Sequence, residues 1–174
     1  PAGGERVCVG TSYTVRWSGA TAGSLVRLDL SRNGAAGPWE PLWMTDDDGE
    51  AALGAAGPAA EECLHRVVDL DGNVLAQGTV PFAIVEPRID LITPNGGETW
   101  AIGSRRHFGW SSTCFTGSVR IDVSRSGPAG PWSMLIPSTP NDGTESWLVR
   151  REDIGWTHVR VLALPFESPN DRSD

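Results

Sequence analysis

The sequence predicts an all-β chain built as two tandem β-sandwiches, the first lacking its opening strand and the second its closing strand. Three observations carry that reading. The chain repeats itself: PAGGERVCVGTSYTVRW, Pro1 to Trp17, returns ungapped 93 positions on as PNGGETWAIGSRRHFGW, Pro94 to Trp110. Apolar residues recur at every second position, the period of a half-buried strand. Turn-formers, among 21 Gly and 13 Pro, punctuate the chain at short intervals, and no helical period shows between them.

Between Pro1–Leu42 and Pro94–Leu135 the two copies are identical at 18 of 42 positions, where chance would give about 3. A duplication follows, with expected domains at 1–87 and 88–174, each large enough to bury a core of its own.

Taken in order, Val7 and Val9 in the first copy, and Trp100 and Ile102 in the second, share a parity and read as short strands, as do the runs ending at Trp17 and at Phe108–Trp110. SLVRLDLS, Ser24 to Ser31, and SVRIDVS, Ser118 to Ser124, put Val26, Leu28 and Leu30, or Val119, Ile121 and Val123, inward. Arg27, Asp29, Arg120 and Asp122 then fall on the outer face. GAAGPW and GPAGPW deliver Trp39 and Trp132 into the next strands. Asp47-Asp48-Gly49 matches Asn141-Asp142-Gly143 with one residue inserted, a turn that tolerates positive φ. Strands with Leu53 or Trp147 follow, then strands ending in an Arg-Val pair, Cys63–Asp69 and Thr157–Leu164.

The first copy runs on through Asp71-Gly72-Asn73 into a hairpin and final strand, Val74 to Pro87. The second is preceded by an opening strand, Arg88 to Thr93, that the first does not have. The expectation is a piece of a longer protein whose open strand edges are covered by neighbouring chain or a partner subunit. The join at Val85–Arg88 has no Gly/Ser spacer and should be stiff.

Net charge is -8 at pH 7, with the positive charges carried by Arg. This argues against a nucleic-acid partner and against adsorption to an anionic membrane surface, both of which call for basic patches. No apolar run is long enough for a transmembrane span.

The motifs resemble the PNGGE-type immunoglobulin-like repeat of secreted and cell-surface multidomain proteins. The matching residues are Ile89, Leu91, Pro94 to Glu98, Trp100, Gly103, Trp110, Val119, Ile121, Ser124, Trp132, Asn141 to Gly143, Trp147 and Val159 to Val161. The first copy diverges, with Ala2 for the Asn, Val7 for the Trp and Asp47 for the Asn. The repeat is also similar to the N-terminal module of Ser/Thr-rich fungal cell-wall proteins linked to glucan assembly. The resemblance implies an extracellular, surface or periplasmic sandwich, with no catalytic residues and no cofactor, that acts as spacer, adhesive repeat or appendage to an enzyme. Its partners would be flanking domains or subunits, or a cell-wall glycan.

Chemistry-bearing residues are few. His65, His107 and His158 fall in strands, at or near the surface, with no nucleophile motif beside them. Asp46, Asp47 and Asp48 form an acidic turn, a weak candidate for calcium, that a solvated hairpin turn explains more simply. Trp17, Trp39, Trp100, Trp110, Trp132 and Trp147 sit at module positions and read as core. Trp43 and Trp156 are left over as candidates for stacking on a sugar. Of three cysteines, Cys8 and Cys63 share one domain and form the expected disulfide, and Cys114 lies in a loop.

Overall fold

The computed structural model describes residues 1–165 and 168–173. Asp174, the end of the second expected domain, lies outside them. The chain divides into two compact units, Pro1–Glu86 and Pro87–Asp174. Each is an all-β, immunoglobulin/fibronectin-III-like sandwich of two sheets packed face to face. No helix among the described residues is long and apolar enough to cross a membrane.

Unit 1 contains β1 (Arg6–Cys8), β2 (Ser12–Arg16), β3 (Leu25–Ser31), β4 (Trp39–Asp46), β5 (Glu50–Gly54), β6 (Ala60–Val68), β7 (Val74–Gln77) and β8 (Phe82–Val85). The larger sheet has the order β1-β8-β6-β3-β4 with β7 also on β6; β2 and β5 pair as the smaller sheet. Unit 2 contains β9 (Arg88–Thr93), β10 (Arg105–Thr113), β11 (Ser118–Ser124), β12 (Trp132–Pro140), β13 (Thr144–Leu148), β14 (His158–Ala163) and β15 (Asn170–Arg172). Its sheets run β12-β11-β14-β15 and β13-β10-β9.

The period-two reading places the core correctly. Val26, Leu28 and Leu30 on β3, and Val119, Ile121 and Val123 on β11, are all at most 4% exposed, each worth roughly 1.5–3 kcal/mol of burial. Both strands hold the centre of their sheets, flanked on either side.

The same turn chemistry serves both units. Trp17 N–H donates to the Gly49 carbonyl at 2.9 Å and Trp110 N–H to the Gly143 carbonyl at 3.0 Å. Those glycines stand at φ of 94° and 90°, which a side chain would strain. Inside that turn the indole N–H of Trp17 donates to Asp47 Oδ1 at 2.6 Å, and that of Trp110 to Asn141 Oδ1 at 2.7 Å.

Several expectations are corrected. The hairpin expected through Asp71-Gly72-Asn73 is formed, with β6 and β7 antiparallel across it, but the final strand from Val74 is divided into β7 and β8. Both run antiparallel to β6, β7 against Arg66–Val68 and β8 against Ala60 and Cys63, so they are one strand interrupted at 78–81. Trp100 and Ile102 are not in a strand, and Ile102 is 55% exposed. The reason is pairing: their counterpart β1 pairs in parallel with β8, and unit 2 has no such strand among the described residues. Trp39 and Trp132 are half-buried on the outer sheet face rather than in the core. The Cys8–Cys63 disulfide is not formed. Cys63 is a fully buried free thiol that donates to the Ala60 carbonyl, and burial pushes its pKa up. Cys8 is disulfide-bonded, and so is Cys114.

Candidate functional site

The residues that recur in both copies with unusual chemistry lie on the outer face of the larger sheet. Alternation puts Asp29 and Asp122 outward, as read from sequence, yet they are 0% and 2% exposed. Long neighbours cover them. Arg27 donates to both Asp29 oxygens, at 2.7 and 3.1 Å, and Arg66 donates across the strand pair at 2.9 Å. In unit 2, Arg120 and Arg160 hold Asp122 at 2.8–3.0 Å in the same way. The Arg66 guanidinium lies 4.5 Å from the Trp39 ring centroid, and Arg160 lies 4.6 Å from that of Trp132. Each indole thus roofs a guanidinium that neutralises a buried carboxylate. Burial alone would push the Asp29 carboxyl up, but the hydrogen bonds and charges of Arg27 and Arg66 outweigh it and hold it below the usual carboxylate range. Every acceptor here is engaged, so the cluster braces the sheet and offers no free group to a ligand. Its signal in the sequence is the recurrence of Arg27, Asp29, Trp39 and Arg66 in the second copy.

Beneath this cluster in unit 1 sits His65, 7% exposed. Its Nδ1 lies 3.2 Å from the Asp29 carbonyl, which can only accept, so Nδ1 carries the proton. Nε2 then accepts from the Tyr13 hydroxyl at 3.0 Å. Burial, the main cause, lowers the His65 pKa to about 4 and raises that of Tyr13 to about 12. His65 also stacks on Phe82 at 5.2 Å. It is a core residue, not the surface or half-buried one expected.

The acidic turn does not converge on a metal. Asp47 is 4% exposed and points inward, accepting from Trp17, the Thr21 amide at 2.7 Å and Ser24. Asp48 accepts from the Glu50 amide at 3.2 Å, capping the turn. Asp46 stays exposed at the end of β4. Among the described residues, no three His, Cys, Asp or Glu side chains are grouped to hold an ion.

The two spare tryptophans separate. Trp43 on β4 is 60% exposed. Trp156 is half-buried against the unit 2 core, 6.1 Å from the Trp147 ring. With Trp100, Ile102, Val149, Ile154 and Val159 it walls a recess of about 300 Å³. Unit 1 has a groove of about 420 Å³ walled by Pro1, Val15, Trp17, Val67, Ala76 and Phe82.

No protein-family model and no curated protein sequence matches the chain. Among solved structures it is similar to the fibronectin(III)-like modules of Clostridium thermocellum CbhA, at 14% identity and a TM-score of 0.29, over 100% of this chain and 86% of that one. It is also similar to a tetra-tandem repeat in the extending region of a large adhesion protein, at 15% identity and a TM-score of 0.29, over 94% of this chain and 45% of that one. This chain spans less than half of the latter. The sandwich assignment rests on the strand pairing and core described above.

Proposed function

We propose that the chain is a non-catalytic structural or interaction segment, a spacer, adhesive or subunit-docking tandem of immunoglobulin-like units within a larger secreted, surface or periplasm-facing protein. One observation carries the reading. The polar residues common to both units are consumed inside them: the indole–Asx bonds pin the hairpin turns, and the Arg–Asp–Arg clusters brace the larger sheets. Chemistry spent on bracing suits a chain whose task is to hold shape. The disulfide-bonded Cys8 and Cys114 suit an oxidising compartment. The PNGGE-type kinship inferred from Pro94–Glu98 points the same way.

The test combines two measurements. The chain should turn over no ester, glycoside, peptide or phosphate in a chromogenic panel. Placed between donor and acceptor fluorophores, it should give a single narrow end-to-end distance distribution that a Gly/Ser linker of equal length does not. A broad distribution, or turnover, rejects the reading. A second reading, a carbohydrate-binding accessory module of an extracellular hydrolase, has the exposed Trp43 ring as its observation. Retention on a cell-wall polysaccharide gel that Trp43→Ala abolishes would favour it.

A further inference from the structure

We infer that the cleft between β12 and β13 of unit 2 binds a single carboxylated sugar ring, a hexuronate. The inference goes beyond the interaction-segment reading and does not depend on it, nor does it draw on Trp43.

Unit 1 supplies the template. There Arg32 donates to the carbonyls of Ala56, Gly57 and Pro58, and its Nε donates to the Glu40 carboxylate at 3.2 Å. Glu40 stands on β4 opposite Leu30. Unit 2 keeps the arginine: Arg125 donates to the Glu152 and Ile154 carbonyls. At the place of Glu40, opposite Val123 on β12, stands Ser133. Its side chain is short and uncharged, and among the described residues no carboxylate pairs with Arg125. The walls have changed with the charge. Leu53 and Glu62 of unit 1 become Trp147 and Trp156 in unit 2.

The two indoles, 6.1 Å apart and tilted by 44°, line a cleft of about 270 Å³ with Arg125, Ser133 and Glu152. All of these groups lie within 123–156, well inside the chain. Trp147 is fixed from behind. Its indole N–H donates to the buried Asp153 at 2.8 Å, and the Arg150 guanidinium lies 5.2 Å from its ring centroid. The flat rings suit the C–H face of a pyranose. Arg125 Nε, with the place of the Glu40 carboxylate open before it, takes the carboxylate of a ligand by a charge-assisted hydrogen bond. Ser133 and Glu152 serve ring hydroxyls, and the Glu152 charge is met by Arg150 at 3.7 Å. The volume lies at the low end for small-ligand sites, roughly 300–1,000 Å³, which is room for one ring. A neutral sugar leaves the guanidinium without its anion, and a plain carboxylate leaves the indoles bare. A hexuronate uses both.

The test titrates methyl β-glucuronide into the isotopically labelled whole chain. The side-chain N–H signals of Trp147, Trp156 and Arg125 should shift and saturate, with a Kd on the order of 1 mM, the strength of one ring. Methyl β-glucoside, the same ring without a carboxylate, and acetate, a carboxylate without the ring, should each bind at least tenfold more weakly. As a second measurement, Ser133→Glu returns the ion pair of unit 1 to unit 2. It should weaken glucuronide binding at least tenfold while the melting temperature of unit 2 holds or rises. Equal binding of glucuronide and glucoside, binding untouched by Ser133→Glu, or indole signals that do not move overturn the site. A shift at Trp43 with Trp147 and Trp156 unmoved also overturns it, and favours the carbohydrate reading at β4 instead. All of these outcomes leave the spacer reading standing, since that is judged by end-to-end distance.

Discussion

Trp17 and Trp110 occupy the same place in two copies of one module, are pinned by the same indole bond, and differ in one respect. Trp110 is 3% exposed inside a single core that runs from β9 to β14. Trp17 is half-buried, and the core around it is split into two clusters, one centred on Leu30 and Phe82, the other on Val26 and Leu28. Among the described residues, β8 of unit 1 pairs with β6 and β1, and β9 of unit 2 pairs with β10. Each unit also carries a recess walled in part by apolar residues, Trp100, Ile102 and Val149 in unit 2 and Val15, Val67 and Phe82 in unit 1. A sandwich edge strand thus does two things at once: it satisfies backbone groups and it completes the core.

The comparison can be broken hardest where the units agree. Asp29→Ala and Asp122→Ala each leave two guanidiniums facing one another without their carboxylate, and each should cost about 3–5 kcal/mol. Calorimetry that resolves the two units should find similar losses, one in each. Markedly unequal losses would mean the clusters are not equivalent braces.

Next is the strand that distinguishes them. Leu91→Ala should destabilise unit 2 by about 3 kcal/mol and leave unit 1 unchanged. Hydrogen exchange should show the Trp110 side of unit 2 opening toward the protection seen around Trp17.

The third effect belongs to unit 1 alone, because the counterpart of His65 is Val159. The folded pKa of His65, about 4, lies below its ordinary 6.5. The unfolded chain therefore binds the proton more readily. The stabilisation is complete above about pH 6.5 and is lost as pH falls toward 4, up to about 3 kcal/mol. Unit 1 should melt progressively earlier over that window, and His65→Gln should flatten the dependence. Asp29 acts lower still. Its folded pKa is depressed, so its contribution is present above the ordinary 3.8 and disappears as pH drops through the folded value.

The smallest contrast is the indole pin. Asn141→Ala should cost about 1 kcal/mol, and Asp47→Ala should lower the unfolding midpoint more, because a carboxylate accepts more strongly than an amide.

The parts of this fold legible in the sequence are those governed by local parity. Val26, Leu28, Leu30 and their copies declare their inward face. The Asp47-Asp48-Gly49 and Asn141-Asp142-Gly143 turns declare their position. The parts that were not legible depend on what covers a residue from elsewhere. Parity puts Asp29 outside, but cannot say that Arg66 crosses from the neighbouring strand to bury it, with Trp39 above. The same limit explains Trp100 and Ile102, which alternate correctly yet form no strand because no strand pairs with them among the described residues. Cys63 and Cys8 share a domain in sequence, but Cys63 faces the core as a free thiol. Of the two spare tryptophans, Trp43 alone is exposed.

The connection between β8 and β9 has a mechanical consequence. β8 ends at Val85 and β9 begins at Arg88, so only Glu86 and Pro87 separate the strand that closes one core from the strand that opens the next. That is about 10 Å of chain between ordered residues, with no coil to pay out. A tug that peels β9 from β10 is therefore borne within three residues by β8, which is locked on both sides, by β6 and by β1. Under load the junction has no slack, and the load falls on hydrogen-bonded strands before any linker can stretch.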